Sequence, residues 1–226
     1  MWGVVVVILL ATVGFAAVGF FAGVAWHTLA DALLRSTYRL ILAYGIAVFF
    51  GAAIALSVGA GRLSNYVFPI FDVLQNIPSF ALIPLFIYFF GFTDTMIVVF
   101  AATSIIWPIL FSVLTAIRTA PMDLVDAATV FGATGIKRTI HFHFPLSVPA
   151  LITGSIVGIA IGWEAVIGAE IIGNAGGFGA FITNASTGGV SPAVIAGIVG
   201  LLVIVFVMNR LIWSPLLSES AHRYAE

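Results

Sequence analysis

The chain has 226 residues, of which 62% are hydrophobic and 8% charged, with a formal net charge of −1 and no cysteine. A soluble domain carries about 25% charged residues, so this composition excludes a water-covered globule. The near-zero charge speaks against nucleic-acid binding, and the lack of cysteine excludes disulfides, thiolate catalysis and zinc–thiolate sites.

A lipid bilayer accepts such a chain. There each backbone polar group needs an internal partner, which leaves helices or a closed barrel. Long continuous apolar runs match helices, not the short alternating segments of a barrel. The expected fold class is an all-α polytopic membrane protein of about six transmembrane helices, each needing about 20 apolar residues. Residues 1–226 read as one transmembrane domain without internal repeats.

In chain order, the first apolar run is 2–26. It lacks a basic leader and is long for a secretory signal, so it reads as a span. The second is 40–60. The amphipathic stretch 66–78 precedes a shorter third run, 80–92. Asn76, Ile77, Pro78 and Ser79 stand at its start, which predicts a broken or bent entry. The fourth, fifth and sixth runs are 96–114, 148–172 and 194–213.

The connections differ in kind. Residues 91–94 form a tight turn, and the Gly-rich stretch 174–191 is expected to be irregular or re-entrant. The longest connection is 116–147. His141 and His143 within it diverge on a helix, so they read as interfacial polar residues and not as a metal pair.

With both termini in the cytoplasm, the inner segments hold Arg62, Arg118, Lys137, Arg138, Arg210 and Arg223. The outer ones hold Arg35 and Arg39, expected to snorkel at the interface. The excess favours this orientation.

The long inner connection carries the most specific pattern. Pro121 suits a first helical turn, with Asp123 and Asp126 near the positive end of the dipole. Ala127, Ala128, Val130 and Phe131 form an apolar stripe. Gly132, Ala133 and Gly135 mark a break. Lys137 and Arg138 open a second short helix that Pro145 is expected to end. An apolar stripe on such a segment predicts docking against another protein, or against lipid headgroups.

Asp126-Ala127-Ala128, then Gly132-Ala133 and Pro145, resembles the EAA loop of ABC importer permeases. The likeness extends over most of the chain, with a core at 28–213 and the coupling loop at 117–147. Residues 69–84, with Leu74-Gln75-Asn76-Ile77-Pro78, and 163–178, with Ala169-Glu170, are similar to the nitrate/sulfonate/taurine branch. The resemblance implies an EAA-type coupling helix-turn-helix between spans four and five, in which Asp126, Ala127, Ala128, Phe131, Gly132, Ala133 and Pro145 couple to an ATPase. Asp126 stands where the family has Glu. It also implies a second permease subunit, two ABC ATPase subunits and an extracytoplasmic solute-binding protein, in the cytoplasmic membrane of a prokaryote.

No cofactor is expected in this chain. The stretch from Gly132 to Thr139 lacks the G-x-x-x-x-G-K-[ST] spacing of a phosphate loop, so ATP and Mg belong to partner subunits. The chain reads as a permease and not as an enzyme.

In span five, Gly154, Gly158 and Gly162 recur every four residues, which lets a helix approach closely within the chain or from a second subunit. The same span carries Glu164 and Glu170, and charges there are functional candidates. They do not share a face, which argues against a paired acid/base site. Glu170 suits a structural or gating role at the Gly-rich turn. Candidate path or gate residues are Asn76, Pro78, Ser79, Trp163, Glu164 and Glu170. The alternative reading is a proton-coupled secondary transporter using Glu164 or Glu170. It leaves the long Ala/Gly/basic loop unexplained.

Overall fold

The computed structural model describes residues 26–59, 61, 64–173, 175–187 and 191–224. The first helix there, α1 (Trp26–Gly59), has 34 residues. At 1.5 Å per residue it is about 50 Å long, more than a bilayer core needs. Ala43, Ala47, Gly51, Ala55 and Gly59, one in every four, are buried along one face. Their small size lets the next long helix approach: a Cβ on Gly59 would lie 3.0 Å from Ile117, and one on Gly51 3.2 Å from Ile109.

A bent pair follows. α2 (Ser64–Gln75) closes at Asn76 and Ile77, whose amides donate to Val73 and Leu74 carbonyls. Pro78 has no N–H to continue the ladder, and its ψ of 114° leaves the helical region. The chain resumes as a 3₁₀ turn, Ser79–Leu82, leading into α3 (Ile83–Phe90) at 82° to α2. Gly91 at φ 65° then turns the chain.

α4 (Asp94–Arg118) is the central helix. Thr93 caps it, accepting from the Met96 amide at 3.2 Å, and Asp94 and Arg118 sit at the dipole ends that suit their charges. Its buried residues include Met96, Phe100, Ile105, Ile109 and Leu114. α4 packs chiefly on α1 and on α6, the long helix Gly135–Gly173. The α4–α6 contact uses the glycines of α6. A Cβ on Gly154 would lie 2.7 Å from the Pro108 carbonyl, and one on Gly162 2.7 Å from Ile105. Gly158 faces Ile105. The glycine ridge is thus filled from within the chain.

Between α4 and α6 lies the short α5 (Met122–Val130). After α6 come α7 (Phe178–Ala185), α8 (Pro192–Met208) and, beyond a π turn at Asn209–Trp213, α9 (Ser214–Tyr224).

The span count stands in part, and several local expectations need correction. Four described helices are long and apolar enough to cross a membrane, or five if the bent pair counts as one span. The run 2–25 lies outside the described residues. The third run, 80–92, is half of the bent pair; each half of about 18 Å falls short of a ~30 Å core. The second span starts at Trp26, well before residue 40. Arg39 does not snorkel: it is 4% exposed inside the bundle. His143 is likewise buried within the chain, not exposed as an interfacial side chain would be. The stretch after α6 is not irregular throughout, since Phe178–Ala185 forms a regular helix that packs back on α1, α6 and α8.

Pro145 does not end a helix. The π turn Thr139–His143 lets the Phe144 amide reach the Thr139 carbonyl. The ladder thereby skips the bond a proline could not make, and α6 runs on. The same device recurs at Asn209–Trp213, where the Ser214 amide reaches Asn209 just before Pro215.

Candidate functional site

Two places concentrate the residues singled out above. The first is the segment from Pro121 to α6. Pro121 has φ −55° and ψ 131°, so it flanks α5, and its carbonyl accepts from the Leu124 and Val125 amides. No residue of α5 is buried. Phe131, Gly132 and Ala133 close its end by donating to Ala127, Thr129 and Ala128 carbonyls. Gly132 at φ 75° and Gly135 at φ 54° make the left-handed steps that turn the chain into α6.

This geometry collects Asp126, Ala127, Ala128, Phe131, Gly132 and Ala133 on one projecting helix and turn, and leaves Pro145 apart, in α6 beyond the π turn. Val130 and Phe131 are 85% and 88% exposed, and Met122, Leu124 and Ile136 are exposed beside them. An apolar patch of this kind marks a contact surface. Asp126 is exposed and makes no ion pair among the described residues.

The second place lies at the other end of α6. Glu170 is fully buried, and its carboxylate accepts from Arg39 Nη1 at 2.6 Å, Ser36 Oγ at 2.8 Å and the Gly179 amide at 2.8 Å. Arg39 uses all its N–H groups. Nε and Nη2 bind Asp94 Oδ1, Nη1 also reaches the Gly176 carbonyl, and Nη2 also reaches that of Ala175. Ser36 Oγ accepts from the Phe178 amide at 2.8 Å. Gly177 has φ 93°, and a Cβ there would come within 2.6 Å of the Glu170 carboxyl carbon.

This arrangement ties α1, the start of α4, the end of α6 and the start of α7 into one ionic knot. Every donor and acceptor is matched, which a charge buried in a bundle requires. Ser36, Arg39 and Asp94 were not among the expected site residues. Their signal was a serine and an arginine inside an apolar helix, since such a charge calls for an opposite partner.

The remaining candidates are not gathered in one site. Asn76, Pro78 and Ser79 form the α2–α3 bend, with the Asn76 side chain donating to the Asp72 carbonyl. Ser79 lines a small cavity of about 180 Å³ with Phe86, Phe100, Thr103, Ser104 and Trp107. Trp163 is buried, and its Nε1 has no partner among the described residues. Glu164, its neighbour, is exposed on a different face of α6 from Glu170.

Residues 47–212 match the family model described as the binding-protein-dependent transport system inner membrane component. The chain is 26% identical to the taurine transport system permease protein of Escherichia coli over 84% of its length and 68% of that protein's. It is 26% identical to the nitrate import permease protein of Leptolyngbya laminosa, over 80% of this chain and 65% of that one. The bicarbonate transport system permease protein of Synechococcus elongatus is 29% identical over 82% of this chain and 67% of its own length. The chain thus spans about two thirds of these relatives. This multi-pass membrane chain belongs to the binding-protein-dependent transport system inner membrane component family.

Proposed function

We propose that the chain is the membrane-spanning subunit of an ATP-driven importer, moving a small anion or organic solute of the nitrate, sulfonate, taurine or bicarbonate type by alternating access. The observation that carries this reading is the exposed apolar helix α5 with its glycine turn, joined directly to α6. The names of the relatives support the substrate class. In this reading α5 docks on an ATPase subunit through Asp126, Ala127, Ala128, Phe131, Gly132 and Ala133. ATP and Mg are used there, and closure of two ATPases displaces α5 as a rigid body.

A second permease, identical or related, completes the path, and an extracytoplasmic binding protein delivers the solute. Asn76, Pro78, Ser79, Trp163 and Glu164 contribute to the path or its gate, while Glu170 holds the bundle end together. The membrane is the cytoplasmic membrane of a prokaryote, with both termini inside and six spans if 2–26 and the bent pair both cross.

The test is reconstitution with ATPase subunits and binding protein. Gly132→Asp, or Ala127→Arg with Ala128→Arg, is expected to abolish ATPase assembly and transport while the chain stays helical. Unimpaired assembly and transport in both variants would sink the proposal. Transport that stops when a proton gradient is dissipated, with ATP still present, would point to proton coupling instead.

A further inference from the structure

A second polar site lies at the α5 end of the bundle. A cavity of about 310 Å³ opens where the end of α1, the start of α2, the end of α4, the first turns of α5 and the start of α6 meet. Ser64, Asn65, Arg118, Arg138 and His143 line it. Two arginines line it, and among the described residues no carboxylate does.

Its walls carry polar atoms that nothing in the chain satisfies. Ser64 and His143 are each 3% exposed. Ser64 Oγ, both ring nitrogens of His143 and Arg138 Nε are buried without a hydrogen-bond partner among the described residues. Buried polar groups are almost always paired, so four such atoms in residues that line one cavity point to an unmet hydrogen-bond partner there. A neutral imidazole offers one N–H donor, a serine hydroxyl another, and the guanidinium groups offer several more.

The charge decides what that partner is. Neither Arg118 nor Arg138 has a carboxylate partner among the described residues, so an anion suits the pair better than water does. Arg118 lies 4.5 Å over the Phe68 ring, which fixes its plane and leaves its N–H edges free. The first-turn amides of α2, a helix of 12 residues, add partial positive charge from the Ser64 side. Planar, edge-on guanidinium donors suit a tetrahedral oxyanion.

We propose that this cavity binds the phosphate-type oxyanion of an anionic lipid headgroup or of free phosphate. The bound group bridges Arg118 on α4 to Arg138 and His143 on α6, and so fixes the base of α5. Binding does not depend on the transport reading and can be measured without ATPase subunits.

The full chain is purified in lipid-free detergent, and its thermal unfolding is followed with inorganic phosphate, with chloride at matched ionic strength as reference. In parallel, lipid retention is measured by native mass spectrometry after extraction from phosphatidylglycerol or phosphatidylcholine vesicles. Native protein is expected to be stabilised by phosphate, or to retain phosphatidylglycerol selectively. Arg118→Gln with Arg138→Gln should weaken either effect about tenfold or more, as expected for lost charge-assisted hydrogen bonds. Arg118→Gln alone, at an exposed position, keeps the test readable if the double variant fails to fold.

A phosphate effect without lipid assigns the free ion as the source. Retention of phosphatidylglycerol without a phosphate effect assigns the headgroup. The proposal is overturned if neither probe acts on the native chain, or if whichever probe acts does so equally on the native chain and Arg118→Gln.

Discussion

Glu170 and Arg39 are each held by partners that have no other place to go. Removing either leaves the other charged and buried, which costs about 3–5 kcal/mol. Glu170→Ala and Arg39→Ala are each expected to lower stability by that order, measured by unfolding in detergent. The pair Arg39→Met with Glu170→Leu should cost much less than the sum of the singles. Asp94, 75% exposed, is a weaker member, so Asp94→Asn should cost less than about 1 kcal/mol. Gly177→Ala combines a positive φ with a collision against Glu170, and about 2 kcal/mol or more is expected. The sequence marked Glu170 as a charge inside an apolar run, but it put Arg39 outside one, at the interface, and did not show that the two meet. They stand far apart in the chain, and their pairing depends on how α1 and α6 pack.

At the scale of the element, α6 and its glycines carry the sharpest expectations. A Cβ on Gly158 would meet Ile105 at 3.0 Å, and one on Gly154 would meet backbone. Gly154→Leu should therefore disrupt the α4–α6 contact more than Gly158→Ala, read as a larger loss of folded protein after heating. The glycine spacing was plain in the sequence, while its partner helix was not. The Ala43 to Gly59 stripe of α1 has the same spacing and went unread, because alanines interleave with its glycines.

Pro145 shows a second limit. A proline after a polar stretch reads as a helix end, yet a π turn lets the helix pass through it. Pro145→Ala is accordingly expected to change stability by less than about 1 kcal/mol, since no terminus depends on the ring. A large loss of helicity in that variant would contradict the continuous α6.

For the molecule as a whole, the question is which end faces which side. The chain has no cysteine, so single cysteines can be placed without background. In intact cells, Asp126→Cys is expected to resist a membrane-impermeant thiol reagent, and Asp94→Cys to react. These positions flank opposite ends of α4, about 36 Å apart along its axis. The reverse pattern would invert the orientation. Hydropathy alone located four of the long helices, because continuous apolar runs leave little choice in a bilayer. It misplaced the start of α1, where a buried arginine interrupts the run, and could not separate the bent pair from a single crossing.

The unbroken course of α6 has a mechanical consequence. It grips α4 near Gly158, about 35 Å from its Gly135 end and about 22 Å from its Gly173 end. If it pivots at these glycines, such a rod is an unequal lever. A push applied beside α5 would reach the far end reversed in direction and cut to about two thirds of its stroke. The π turn at Thr139–His143 lies on the long arm, where a slack joint would waste the most travel.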